Sequence, residues 1–304
     1  MSTARSLGVP QMSLSGDDPA LQNRSRSMLS NLPNLVQRRD LLKILVVSEL
    51  RSAVARSKLG WIWWFLDPLL MMLVYWAIVV GLLGRGSDRY DPYPAFLFAA
   101  LITWKHFATA VGRSLSLLRS RERLIKSVPF PSIVLPLSVV FSGFAYFLFG
   151  FVVLVAAILV WPSSRHSGDF LPIIQVPFLM VFQLAVTAGF TMAAACFGAL
   201  FEDLRLFATH ILRVGFYVSP GLYGVDLVSD RLVRSFSEGV GETLFGVYMC
   251  NPFAILMTGY REAVLYGEFI PLHWWAVLGV EAAVLLWGGY RIYQFYDRRV
   301  IKFL

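Results

Sequence analysis

Apolar residues in this chain come in long unbroken runs instead of alternating with polar ones. From Trp61 to Leu83 there are 23 residues with one charge, Asp67. As a helix they extend about 35 Å, enough to cross the hydrocarbon core of a bilayer. Comparable runs at Pro94 to Gly112, Ile133 to Trp161, Leu171 to Phe201, Leu206 to Leu222 and Leu272 to Tyr290 predict five more spans. Ahead of them, residues 35–60 interleave apolar side chains with Arg38, Arg39, Lys43, Glu49, Arg51, Arg56 and Lys58, the pattern of an amphipathic helix lying on the membrane surface. The expected fold is an all-α integral membrane protein: an interface helix, six transmembrane helices over 61–290, and tails at 1–34 and 291–304, the first of them flexible.

Composition supports this reading. The 304 residues are 57% hydrophobic and 15% charged, unlike a water-soluble domain. Aromatic residues make up 15%, which excludes a disordered chain, since such chains lack large apolar side chains. The net charge of +8 invites a nucleic-acid reading, but its placement follows membrane topology instead. Residues 1–60 carry nine Lys/Arg and four Asp/Glu. The connection after the second span holds Arg113, Arg119, Arg121, Arg123 and Lys126 against Glu122, and the last tail holds Arg291, Arg298, Arg299 and Lys302 against Asp297. Lys and Arg are retained in the cytoplasm, so these three regions belong there. The stretch between the fifth and sixth spans carries Arg231, Arg234 and Arg261 against six acids and faces outward.

Within that outward stretch (224–271), Leu244 to Tyr260 is uncharged, short, and broken by Asn251-Pro252. Proline removes a helical hydrogen bond and disfavours helix at the residue before it. Broken backbone at membrane depth needs cover from protein or a wet cavity, which predicts a re-entrant hairpin with Asn251, Pro252 and Arg261 at its gate. A buried interfacial helix outside the membrane fits the same residues.

The chemistry of catalysis is missing. There is no glycine-rich loop ending in Gly-Lys-Ser/Thr to cradle a nucleotide, and His106, His166, His210 and His273 stand apart without metal-binding spacing. Two cysteines, Cys196 and Cys250, form no disulfide framework. The expectation is a chain that binds no cofactor or metal, no nucleic acid, and any ATP only through a partner.

Two blocks carry a resemblance. R-S-K-L-G-W-I-W-W-F-L-D-P-L-L-M-M-L-V-Y-W at 56–76, and more specifically L-I-K-S-V-P-F-P-S-I-V-L-P from Leu124 to Pro136, resemble the permeases of bacterial ABC transporters that export polysaccharides and polyol phosphates. Asp203, Ser219-Pro220 and Asn251-Pro252 followed by Arg261 extend the match to about residues 35–300, while Glu202 departs from the basic residue usual there. The resemblance implies half of a transporter of the bacterial inner membrane. Two copies form the pathway, two ATP-binding cassette subunits supply ATP and Mg from the cytoplasm, and the cargo is a lipid-linked, undecaprenyl-type glycan such as O-antigen, capsule or teichoic acid. A drug or lipid permease of the same fold, or a membrane-bound glycan or acyl transferase, are the rival readings.

Individual residues then acquire expected roles. Within 113–131, residues Arg119, Arg121, Glu122, Arg123 and Lys126 with Phe130 form a coupling segment for the ATPase; a basic loop against anionic headgroups is the plainer alternative. Trp61, Trp64, Tyr75 and Trp76, with Tyr217 and Tyr223, offer ring faces to sugars along the pathway, or serve as an interfacial belt. Asp67, Lys105, Arg213 and Glu281 are charges within spans, where isolated charges are costly. Lys105 and Glu281 are expected to pair or to line a wet interior, the alternative being a snorkelling Lys105 and a protonated Glu281.

Overall fold

The structure is a computed structural model; it describes residues 39–54, 58–82, 90, 92–127, 131–160, 170–201 and 203–303, with side chains not described at 39, 53–54, 61, 64, 68, 71–72, 75–76, 79–80, 160 and 297–303. The expected tail 1–34, Phe130 and Glu202 lie outside the described residues. Every regular element among the described residues is helical.

Helix α1 (Arg39–Val54) falls within the residues expected to lie on the membrane surface. A 3-10 turn, Gly60–Ile62, leads into α2 (Trp63–Trp76), which relaxes into a π turn over Ala77–Leu82. Next come α3 (Tyr93–Ser114), two short helices α4 (Leu117–Ser120) and α5 (Glu122–Ser127), and α6 (Val134–Val160). A 3-10 turn Leu171–Ile174 precedes α7 (Gln175–Leu200), followed by α8 (Leu204–Val218), α9 (Val225–Ser235), α10 (Glu238–Met249), α11 (Pro252–Arg261) with a π turn Glu262–Tyr266, and α12 (Leu272–Phe303).

Four of the described helices are long and apolar enough to cross a membrane: α3, α6, α7 with its leading turn, and α12. Helices α10 and α11 with the following turn add a fifth if counted together, but they bend by 88° at Cys250-Asn251. The expected fifth span is shorter than the apolar run suggests. Pro220 forces Ser219 into an extended conformation (ψ 157°), so α8 stops at Val218 and reaches only about 22 Å. Local signals explain other boundaries. Pro at the first turn of α3 and α11 loses only an N–H that has no helical partner. Asn251 caps α11 by accepting a hydrogen bond from the Phe253 N–H at 3.0 Å.

Helix α3 is the centre of the bundle, touched by α2, α6, α7, α8 and α11. Its apolar window is 67% buried, against 17% for α12 at the periphery. Aromatic contacts fill the space around it: Phe107 lies 4.4 Å from Phe253 and 5.3 Å from Phe190, and Trp104 lies 5.0 Å from Phe253, ring centre to ring centre. A buried polar chain runs through the same region. Tyr260 Oη donates to Gln183 Oε1 at 2.7 Å, Gln183 Nε2 lies 2.9 Å from His106 Nδ1, and His106 Nε2 lies 3.2 Å from the Val140 carbonyl. With Nε2 as the protonated nitrogen, every donor meets an acceptor, so α11, α7, α3 and α6 are joined without an orphaned group.

The most extensive pairing is α7 against α12. Lipid is as apolar as leucine, so spans associate through close packing, and small residues allow it. Gly189 and Gly289 face one another so closely that a Cβ on either overlaps the backbone of the opposite helix, whereas Gly288 has open space beside it. Gly289→Val is therefore expected to lose the folded protein on detergent extraction, while Gly288→Val, which makes the same change in helix propensity, keeps it. Size-exclusion recovery and thermal unfolding of the two variants measure the difference; equal behaviour refutes the contact.

Candidate coupling and translocation site

The basic connection after α3 is anchored by its apolar side chains. Leu117 and Leu118 are buried with Leu135, Val139, Met192 and Ala195, while Leu124 and Ile125 pack against the same cluster. The expected single coupling helix is broken at Arg121 (φ −109°, ψ 13°), giving α4 and α5. That break turns the basic residues in different directions. Arg119 donates through Nη2 and Nε to the Ala199 carbonyl at the end of α7, at 3.1 and 3.3 Å. Arg121 donates through Nη2 to Glu49 Oε1 at 2.6 Å, and Arg113 takes the other oxygen of the same carboxylate. Glu49 is 6% exposed, so α1 holds one nearly buried carboxylate against two guanidinium groups, one ending α3 and one at the break. Such charge-assisted bonds are the strong ones. Arg119 and Arg121, expected to face an ATPase, are thus held by this chain. Arg123 and Lys126 are exposed on α5, and Lys126 pairs with the half-buried Glu122 one turn away at 2.6 Å.

Of the four charges expected within spans, two are paired with each other. Lys105 of α3 pairs with Asp67 of α2, not with Glu281. The reason is helix order: α2 lies directly on α3, whereas Glu281 belongs to α12, which packs on α7. Glu281 Oε2 is buried without a hydrogen-bond partner among the described residues. The Lys105–Asp67 pair lines a cavity of about 370 Å³ between α2, α3 and α6, which also receives Arg113, Thr109, Tyr146 and Trp63.

Helix α8 carries Arg205, Thr209, Arg213 and Tyr217 at four-residue spacing, a single exposed polar row. Arg213 stands about 13 Å along the helix and has no ion-pair partner among the described residues. Thr209 and Arg213 border a groove against Trp104 and Gly112 of α3. Tyr217 is 46% exposed. Tyr223 is used differently: its hydroxyl lies 2.9 and 3.0 Å from the Tyr217 and Val218 carbonyls, closing the end of α8. Trp61, Trp64, Tyr75 and Trp76 fall on the 3-10 turn and α2, but their side chains lie outside the described residues.

The three expected gate residues meet at one place. Asn251 Nδ2 donates to Ser219 Oγ at 2.8 Å, tying the 88° bend to the end of α8. Arg261, 2% exposed, donates to the carbonyls of Phe96 (Nε, 3.0 Å), Pro220 (Nη1, 2.6 Å), Gly221 (Nη2, 2.9 Å) and Tyr223 (Nη1, 3.2 Å). Its guanidinium carbon also lies 3.5 Å from the centre of the Phe96 ring. A fully buried cation is satisfied here by carbonyl oxygens and a ring face instead of a carboxylate. The arrangement makes Arg261 a fastener of the loop after α8, with Pro252 setting the bend.

Sequence reasoning missed Glu49, which lies among other charged residues on an untidy amphipathic helix, and the Gln183–His106–Tyr260 chain. Gln183, an amide near the middle of an apolar run, was the available signal for the second. Among the described residues no group of three or more His, Cys, Asp or Glu is placed to hold a metal.

Comparison with known proteins fits this arrangement. Residues 40–239 match the ABC-2 type transporter family. The chain is 30% identical over 271 residues to the O-antigen export system permease protein RfbA of Myxococcus xanthus, covering 88% of this chain and 96% of that protein. It is 27% identical over 228 residues to a protein of the same name from Klebsiella pneumoniae, covering 75% and 81%. It is 20% identical over 263 residues to the polysialic acid transport protein KpsM of Escherichia coli, covering 83% and 92%. With two thirds of its length inside the family's bounds, and a multi-helix bundle apolar enough to span a membrane, the chain is a member of the ABC-2 type transporter membrane family.

Proposed function

We propose that this chain is the permease subunit of an ATP-driven polysaccharide exporter and that its cargo is a lipid-linked, O-antigen-like or capsule-like glycan. The observation that carries this is similarity across 96% of a named O-antigen export permease. The chain is a transport subunit, not an enzyme. In this reading α2 and α8 complete a set of six spans in the bacterial inner membrane, the tails 1–34 and 291–304 are cytoplasmic, and α10–α11 form an outward re-entrant hairpin. Two copies form the pathway. The polar row on α8 supports a pathway there, because an unpaired Arg213 facing lipid is expensive whereas one facing water is not. Two cassette subunits, holding ATP and Mg, dock from the cytoplasm on α5 through Arg123, Lys126 and Glu122.

The coupling argument follows from the carboxylate of Glu49. ATP drives transport only if its bound state favours one permease geometry over another. A displacement of α5 is passed through Arg121 to Glu49, and so to α1 and, by Arg113, to α3 at the centre of the bundle. Deleting the gene in its host is expected to remove glycan from the cell surface and accumulate lipid-linked glycan facing the cytoplasm. Unchanged surface glycan, or a failure to synthesise the glycan at all, overturns the proposal.

A further inference from the structure

The cavity between α2, α3 and α6 is walled on one side by a polar row. Lys105, Thr109 and Arg113 follow one another at four-residue spacing on α3, about 6 Å per step. At its inner end Lys105 pairs with Asp67, both side chains roughly half exposed (43% and 49%). At the other end Arg113 shares Glu49 with Arg121. Three cations thus face two carboxylates, leaving a positive charge at the mouth. Only one bond of Arg113, through Nη2, is made among the described residues, and the Thr109 hydroxyl is exposed without a partner there. Opposite stand the rings of Trp63 and Phe147. The volume, about 370 Å³, lies within the range of about 300–1,000 Å³ usual for small-molecule sites.

We propose that this cavity is a binding site for the phosphate-bearing headgroup of a lipid, with the phosphate held by Arg113, Thr109 and Lys105. The chemistry selects phosphate because a guanidinium fork and an ammonium set along a line are the donors that grip its several oxygens. It selects a lipid over a soluble anion because the site opens among spans, where an apolar tail remains in the bilayer while the headgroup enters past Trp63. The assignment to the cytoplasmic leaflet rests on the sidedness proposed above. Bilayer glycerophospholipid and the polyprenyl phosphate that carries the cargo share this chemistry.

The test is native mass spectrometry of the delipidated full-length protein, titrated separately with phosphatidylglycerol, undecaprenyl phosphate, diacylglycerol and inorganic phosphate. One phosphate-bearing lipid per chain is expected, held at least about tenfold more tightly than diacylglycerol; Lys105→Met is expected to weaken it about tenfold and Thr109→Val about threefold. Thr109→Val removes an exposed hydroxyl and leaves both ion pairs intact, so a folding defect in Lys105→Met does not hide the answer. Preference for undecaprenyl phosphate identifies the cargo carrier as the source, and equal retention of phosphatidylglycerol identifies a bilayer lipid; both support the site. Equal retention of diacylglycerol, displacement by inorganic phosphate at lipid concentrations, or unchanged retention in Thr109→Val overturns it. Retention is read without ATPase or export, so loss of lipid binding with surface glycan intact overturns this site alone.

Discussion

Glu49→Ala is expected to reduce export at least about tenfold while the ATPase subunit still co-purifies. The carboxylate is nearly buried and serves Arg113 and Arg121 together, so its removal leaves two guanidinium groups facing each other. Breaking a buried pair costs about 3–5 kcal/mol, and the water that still reaches the arginines brings the loss toward the lower end. The surface proposed to meet the ATPase, Arg123 and Lys126, is untouched. Arg121→Ala should share the phenotype of Glu49→Ala, whereas Arg123→Glu should lose the ATPase itself. Surface glycan staining, pull-down of the ATPase and ATP hydrolysis by the purified complex separate these cases. Near-normal export by Glu49→Ala refutes the relay.

The second large effect concerns Arg261. Arg261→Met keeps the bulk but leaves the carbonyls of Phe96, Pro220, Gly221 and Tyr223 without their donor. Each buried group left unpaired costs about 1–3 kcal/mol, though relaxation prevents the full sum. A net loss of about 3–5 kcal/mol corresponds to a fall of about 5–8 °C in Tm for a chain of this size. Arg261→Lys should rescue little, since one ammonium cannot reach carbonyls on both α3 and the Pro220 turn. Thermal unfolding in detergent decides this; a Tm within about 2 °C of the unsubstituted protein contradicts the role.

The elements most legible in the sequence were those whose apolar character is unbroken. Helices α3, α6 and α7 begin and end within a few residues of their apolar runs, because hydrophobicity alone determines how much chain the bilayer accepts. Legibility failed where direction mattered more than depth. Lys105 was readable as a charge within a span, but which neighbour it meets depends on helix order around the bundle, and Asp67 lay one helix away. The basic connection was readable as a cluster, but a single turn at Arg121 decides which residues face out. The amphipathic α9 was hidden inside a stretch read mainly for its outward sidedness, since charge counting registers the side of a membrane and not the local period. Arg261 was visible only through a family motif; no pattern in the residues announces that four carbonyls await it.

The glycine crossing of α7 and α12 has a mechanical meaning. Where two backbones touch with no side chain between them, neither rod slides along the other without collision, so this pair moves as one rigid keel. Any rearrangement that admits cargo then falls to the opposite half of the subunit, where α1, α2 and the second half of α3 are joined by ion pairs that break and re-form without unthreading a packed seam.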